Sequence, residues 1–131
     1  MSKEVLLDKS IMIVSETDMK GNILYANNDC CKIAGYTKEE LIGQPQNIVR
    51  HADMPKIAFK GLWDTVLAGK TWNGIVKNKT KHGDYYWVNA TAYPVVKSDG
   101  SHRLISVRKM PTKAEIAWAE DLYKQLRKEE Y

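Results

Sequence analysis

The chain has 131 residues, 44% hydrophobic and 27% charged, with a formal net charge of +4. This is the size and balance of one globular domain with its own core, which excludes disordered and fibrous classes. No apolar run approaches the roughly 20 residues that cross a bilayer, and MSKEVLLDKS at the start lacks a signal-peptide stretch, so a cytoplasmic protein without direct membrane insertion is expected.

Residues 3–9, KEVLLDK, predict one or two helical turns whose Val5, Leu6 and Leu7 seek a surface to cover. Residues 11–17 are β-branched and apolar, residues 18–22 supply turn formers, and residues 23–26 are apolar again, which together predict a hairpin. Asn27, Asn28 and Asp29 offer side-chain acceptors for the N–H groups that open a helix, which Gly35 ends. Cys30 and Cys31 in that helix are adjacent, without a second pair at metal spacing, and read as structural thiols of a reducing compartment. Thr37 and Glu40 form a capping box for a short helix through Leu41, ended by Gly43 and Pro45. Residues 47–55, NIVRHADMP, set Arg50, His51 and Asp53 beside apolar residues just before Pro55, which fits the first turn of a helix. Ile57, Phe59, Leu62, Trp63, Val66 and Leu67 recur at helical intervals up to Gly69. Phe59, Leu62 and Val66 are expected to pack on a sheet, with Trp63 in the core.

Residues 72–94 alternate in two runs around the polar segment 79–84, the pattern of a long antiparallel hairpin. Trp72, Gly74, Val76 and Asn78 share one face of the first run. Tyr86, Val88, Ala90 and Ala92 share a face of the second that lies beside it, while Tyr85, Trp87 and Tyr93 point the other way, so both sides should be covered. An indole, a lone amide and small residues on one concave face describe the wall of a pocket for a flat ligand; a tightly packed hairpin with Asn78 bonded to backbone is the plainer reading. Ser98-Asp99-Gly100 is a turn, and residues 102–108 are a last strand beside 85–96. His82 and His102 fall at exposed turn and strand-edge positions. Thr112 and Glu115 repeat the capping box, and Ile116, Ala119, Leu122, Tyr123 and Leu126 make an amphipathic C-terminal helix. Such a helix docks on its own sheet or takes a partner.

The fold class expected is α+β, a five-stranded antiparallel sheet with short helices on one face and terminal helices. Its segments YAN at 25–27, GY at 35–36, NIVRHADMP at 47–55 and WNGIVKNKTKHGDYYWV at 72–88 resemble the flavin-binding PAS domain of bacterial aerotaxis (energy-taxis) receptors, over roughly residues 11–125. The first two segments are weak signals; the last two at this spacing are specific. The resemblance implies a PAS fold divided as a cap segment at 1–10, a PAS sensor domain at 11–111 and an amphipathic helix at 112–131. It further implies noncovalent FAD held by Asn27, Arg50, His51, Asp53, Phe59, Trp72 and Asn78.

Each residue has a physical task and a plainer alternative. Trp72 can stack on a ring system, and Asn78 can match a flavin edge. Arg50 can pair with phosphate or with an anionic reduced flavin, and Asp53 can fix that guanidinium; the plainer reading is a bridge between the two that only ties a loop. His51 can do as Asp53 does, or titrate. Asn27 also fits a helix cap and Phe59 also fits the core. Light-sensing relatives use a cysteine ahead of the flavin, but residues 43–48 carry no thiol, and the flavin-facing asparagine and glutamine of those relatives fall at Val88 and Arg108. A light-driven adduct is therefore not expected.

The function expected is redox or energy sensing, with the flavin state passed to a membrane-bound chemotaxis transducer or other signalling protein; a second copy of the chain is another candidate partner. Since Met1 opens the chain and Tyr131 closes a helix, a stand-alone protein is the expectation. Two alternatives stand beside it: a ligand-free PAS interaction module, and a haem gas sensor with His51 as axial donor. An enzyme is disfavoured because no nucleophile and base pair, phosphate loop or metal-spaced cluster is visible. Nucleic acid is disfavoured as a partner because 20 basic and 16 acidic residues are interspersed rather than clustered.

Overall fold

The computed structural model describes residues 2–130, so the reading of Tyr131 lies outside the described residues. β1 (Met12–Thr17) and β2 (Ile23–Ala26) form the first hairpin, followed by α1 (Asn28–Ala34), α2 (Lys38–Leu41), a 3-10 turn (Gln46–Val49) and α3 (Lys56–Leu67). β3 (Trp72–Lys79), β4 (Tyr85–Val96) and β5 (His102–Lys109) run as a meander, and α4 (Lys113–Glu129) follows. The local signals act as expected. The Asp18 carboxylate accepts from the Lys20 and Asn22 amides to close the first turn, and both predicted capping boxes form, at Thr37 and at Thr112.

All strand pairs are antiparallel, in the order β2-β1-β5-β4-β3. The first hairpin therefore docks on the last strand, which neither turn chemistry nor alternation could reveal. Along the concave face the register aligns Trp72 with Ala92 and Ser106, Gly74 with Ala90 and Arg108, and Asn78 with Tyr86. The convex face of β3 and β4 lies under α4. Trp87 is buried there, as are Ala119 and Tyr123, and the Tyr123 hydroxyl donates to the Ile75 carbonyl at 2.5 Å. Covering the strands on both faces is thus borne out at Trp87.

The predicted helix at 3–9 does not form. Instead the Val5 amide donates to the Tyr85 carbonyl at 2.7 Å and the Tyr85 amide to the Lys3 carbonyl at 3.0 Å. β4 begins at Tyr85 but β5 pairs with it only from Asn89, so the first residues of β4 have an open edge whose polar groups need partners. A short uncapped segment gains little as a helix, since nucleation is costly. It gains two ladder bonds by lying extended there.

Candidate functional site

The concave face has a floor of small residues. Ala90, Ala92 and Ser106 line a cavity of about 190 Å³, with Thr17, Trp72, Val76, Asn78, Leu104 and Arg108 around them. Gly74 lets the indole of Trp72 come down close against the strand, because a Cβ at that position would sit 2.4 Å from the indole Cη2. The opposite wall comes from α3 (Phe59, Leu62, Trp63), from Pro45, Gln46, Asn47, Val49 and Arg50 on the preceding segment, and from Lys20-Gly21 of the first turn. No carboxylate and no thiol is among these residues.

The polar members of the wall are unusual in what they lack. Arg108 is only 4% exposed. Its Nη2 donates to the Ser15 hydroxyl at 2.6 Å and lies 3.9 Å from the Cys30 sulfur, both neutral partners, since burial pushes the Cys30 thiol up. Arg50 lays its guanidinium 3.7 Å from the centre of the Phe59 ring, and burial lowers its pKa. Its backbone bridges to Asn78, itself buried. Among the described residues, the buried side-chain polar atoms without a partner are Thr17 Oγ1, Gln46 Oε1, Arg50 Nε and Arg108 Nε, and all four residues line this one cavity. An unsatisfied buried group costs about 1–3 kcal/mol, and more when charged. Such groups gathered on one surface leave a polar lining whose partners must be water or a ligand.

Of the residues singled out from sequence, Arg50, Phe59, Trp72 and Asn78 come together on the cavity, while Asn27, His51 and Asp53 stand outside its lining. The Asn27 side chain accepts from the amides of Cys30 at 2.9 Å and Val14 at 3.1 Å, and donates to the Met12 carbonyl at 2.8 Å, which ties α1 to β1. His51 Nδ1 accepts from the Asp53 amide at 3.0 Å; burial first, then Lys77, holds its pKa below the usual value.

The expected pairing of Asp53 with Arg50 is not formed. Asp53 meets Lys77 at 2.8 Å instead, and that bond is the main reason its carboxyl pKa is lowered. The cause is strand alternation: Arg50 turns inward beside Asn78, whereas Lys77 leaves the other face of β3 on Asp53's side. Trp63, read as core, is half-buried and closes the cavity against Gly21. Arg108, Gln46 and Thr17 were not singled out as site residues. Arg108 did carry a signal, because a cation in phase with Leu104 and Ser106 is a charge on an inward face.

A second hollow, of about 420 Å³, lies under α4 between Asp53, Lys77, Trp87, Asp121, Lys124 and Arg127. Its charges are of both signs and Lys77 and Asp53 already pair there.

This sheet order, with helices enclosing a cavity on one face, defines the class, and the chain belongs to the PAS fold family, whose pattern it matches over residues 23–108. It is 47% identical over 114 residues to the aerotaxis receptor of Escherichia coli (strain K12), covering 87% of this chain and 22% of the receptor. It is 27% identical over 95 residues to a nitrogen fixation regulatory protein of Klebsiella oxytoca, covering 72% of this chain and 19% of that protein. Among solved structures it resembles the PAS domain of a Colwellia psychrerythraea protein, with a TM-score of 0.63 at 22% identity over 79% of this chain and 88% of that one. The chain thus spans 22% and 19% of these two curated relatives. No helix among the described residues is long and apolar enough to cross a membrane.

Proposed function

We propose that this PAS domain binds FAD noncovalently in the cavity and acts as a cytoplasmic redox or energy sensor. In this reading it hands the flavin state to a chemotaxis transducer or another signalling protein, or to a second copy of itself. The observation that carries the proposal is the gathering of the unpartnered polar atoms of Thr17, Gln46, Arg50 and Arg108 on one small-residue floor. They supply one hydroxyl that donates or accepts, one amide oxygen that accepts and two guanidinium groups that donate, a set that suits a heterocycle with polar edges and, through the guanidiniums, phosphate. The similarity to an aerotaxis receptor supports the same reading.

FAD supplies a ring system that takes up and returns electrons, and the chain's residues bind and tune it. Trp72, close against Gly74 on the cavity floor, offers an aromatic ring for stacking. Buried Asn78 offers both a donor and an acceptor. The cavity of about 190 Å³ is smaller than the roughly 300–1,000 Å³ of whole-ligand pockets. It suits the ring system, with the remainder of the dinucleotide at the mouth near exposed Lys20 and Asn47. The thiol-free lining leaves light-driven adduct formation without a residue to perform it. The haem alternative gains no support, since His51 stands outside the lining.

An absorbance spectrum of purified protein, recorded in air and after dithionite, tests the proposal. Flavin bands that bleach on reduction are expected, and Trp72→Ala should lose them with the fold intact. Colourless protein that takes up no added FAD would leave a ligand-free interaction module as the reading.

A further inference from the structure

We propose that Arg108 makes the cavity selective for a negatively charged ring edge, so that it is the residue that favours the anionic reduced state of the bound flavin. The inference rests on the reading that the cavity takes a flavin. It stands on three observations about Arg108 itself.

Its guanidinium is buried in the cavity wall, at 4% exposure. Its hydrogen-bond partners are the Ser15 hydroxyl and, at 3.9 Å, the Cys30 sulfur, both uncharged. Among the described residues its Nε has no partner, and no carboxylate lines the cavity. The acidic residue nearest in register, Glu16 on β1, points from the other face to Lys97 and Arg103. A buried cation without a protein counter-charge is tolerated where a ligand supplies one.

Two arginines line the cavity, and burial separates their tasks. Arg50 is half-buried and stacked on Phe59, the more exposed of the two and so the better placed to meet a hydrated phosphate. Arg108 is on the sheet floor, aligned with Gly74 and Ala90, where a planar ring lies. When a donor such as dithionite supplies two electrons and solvent supplies one proton, the neutral oxidised ring gains one net negative charge. A fixed cation facing that charge in a water-poor site favours its formation. Ser15 holds the guanidinium in place for it.

The test is a spectroscopic redox titration of the FAD-loaded protein across pH, on wild type, Arg108→Gln and Arg108→Lys. Wild type should take up one proton per two electrons, a slope of about 30 mV per pH unit for a two-electron couple. Arg108→Gln should make reduction at least tenfold less favourable and double that slope, and Arg108→Lys should stay near wild type. The wild-type slope is itself decisive if Arg108→Gln does not fold: two protons per two electrons would overturn the proposal. So would an Arg108→Gln protein that holds flavin with unchanged potential and slope, and in that case the sensor reading survives.

Riboflavin, which lacks phosphate, separates ring from phosphate as the partner of Arg108. An equal shift of potential with riboflavin and FAD supports the ring. Weakened FAD binding with unaltered riboflavin binding and potential assigns Arg108 to phosphate and overturns the proposal. If wild type takes up neither flavin, the underlying reading falls together with it.

Discussion

The Arg127 guanidinium, near the end of α4, donates to the backbone carbonyl of Asp53. A second tie lies beside it, where the Glu130 carboxylate accepts from the Ile57 amide at 3.1 Å. Because Arg50 sits just before Asp53 and lines the cavity, one short segment touches the candidate ligand site on one side and the C-terminal helix on the other. Arg127→Ala should free that segment, with faster amide exchange at residues 53–57 and 124–130 and a stability loss of about 1.5 kcal/mol, as for a hydrogen bond from a charged donor. Hydrogen exchange with mass-spectrometric readout checks it; unchanged exchange at 53–57 means the tie carries no coupling.

Gly74 and Gly61 should respond oppositely to alanine. At Gly74 the new Cβ meets the Trp72 ring at 2.4 Å, so the indole must lift from the floor. Overpacking of this kind costs roughly 1–3 kcal/mol, and flavin affinity should fall with it. At Gly61, within α3, a Cβ meets nothing within 4 Å, and alanine should stabilise by about 0.5–1 kcal/mol. Urea titration of the two variants, with near-ultraviolet dichroism of the tryptophans, distinguishes them. A Gly74→Ala protein as stable as wild type contradicts the packing described.

Acid should weaken the fold in two stages. His51 has its pKa lowered from 6.5 by burial and by Lys77, against the opposing pull of Asp53. Below about pH 6.5 the unfolded chain therefore binds a proton that the folded chain refuses, and stability drops until the folded pKa is reached. Asp53, lowered from 3.8 chiefly by Lys77, contributes stability that is present above that value and is lost as pH falls through its folded pKa. His51→Asn keeps an acceptor for the Asp53 amide and should flatten the upper stage alone. Melting temperatures along a pH series give the result, and an unchanged slope in the upper stage would falsify the role of His51.

Asn27→Ala should cost stability and spare the ligand. The side chain makes three hydrogen bonds, with Cys30, Val14 and Met12. Losing a cap and stranding two strand groups amounts to about 2–3 kcal/mol. Flavin dissociation constants measured where the variant is still folded should match wild type. A large loss of affinity at unaltered stability would make Asn27 a ligand contact after all.

The sequence disclosed what is local. The caps at Asn27, Thr37 and Thr112, the hairpin of β3 and β4, and the face shared by Trp72 and Asn78 all follow from short-range pattern, and all are found. What was hidden depends on partners distant in the chain. The pairing of β1 with β5 brings Ser15 to Arg108, and no local rule anticipates it. Residues 3–9 have the composition of a helix but meet the bare start of β4. Asp53 and Arg50 are close in sequence yet leave the loop on opposite sides, so proximity along the chain misassigned their pairing. Arg108 was legible only as a misplaced charge until its neutral partners, Ser15 and Cys30, could be seen.

β3 is an outer strand of the sheet, and its free edge is guarded by the segment that carries Arg50. Arg50 bridges to Asn78, and the Lys77 amide donates to the Met54 sulfur at 3.3 Å. An unguarded edge is a template for another chain. If an empty cavity lets that segment loosen, strand β3 is bared to neighbouring copies. Cofactor-free protein should therefore clump on storage at high concentration, visible as rising light scattering, while the loaded form stays clear.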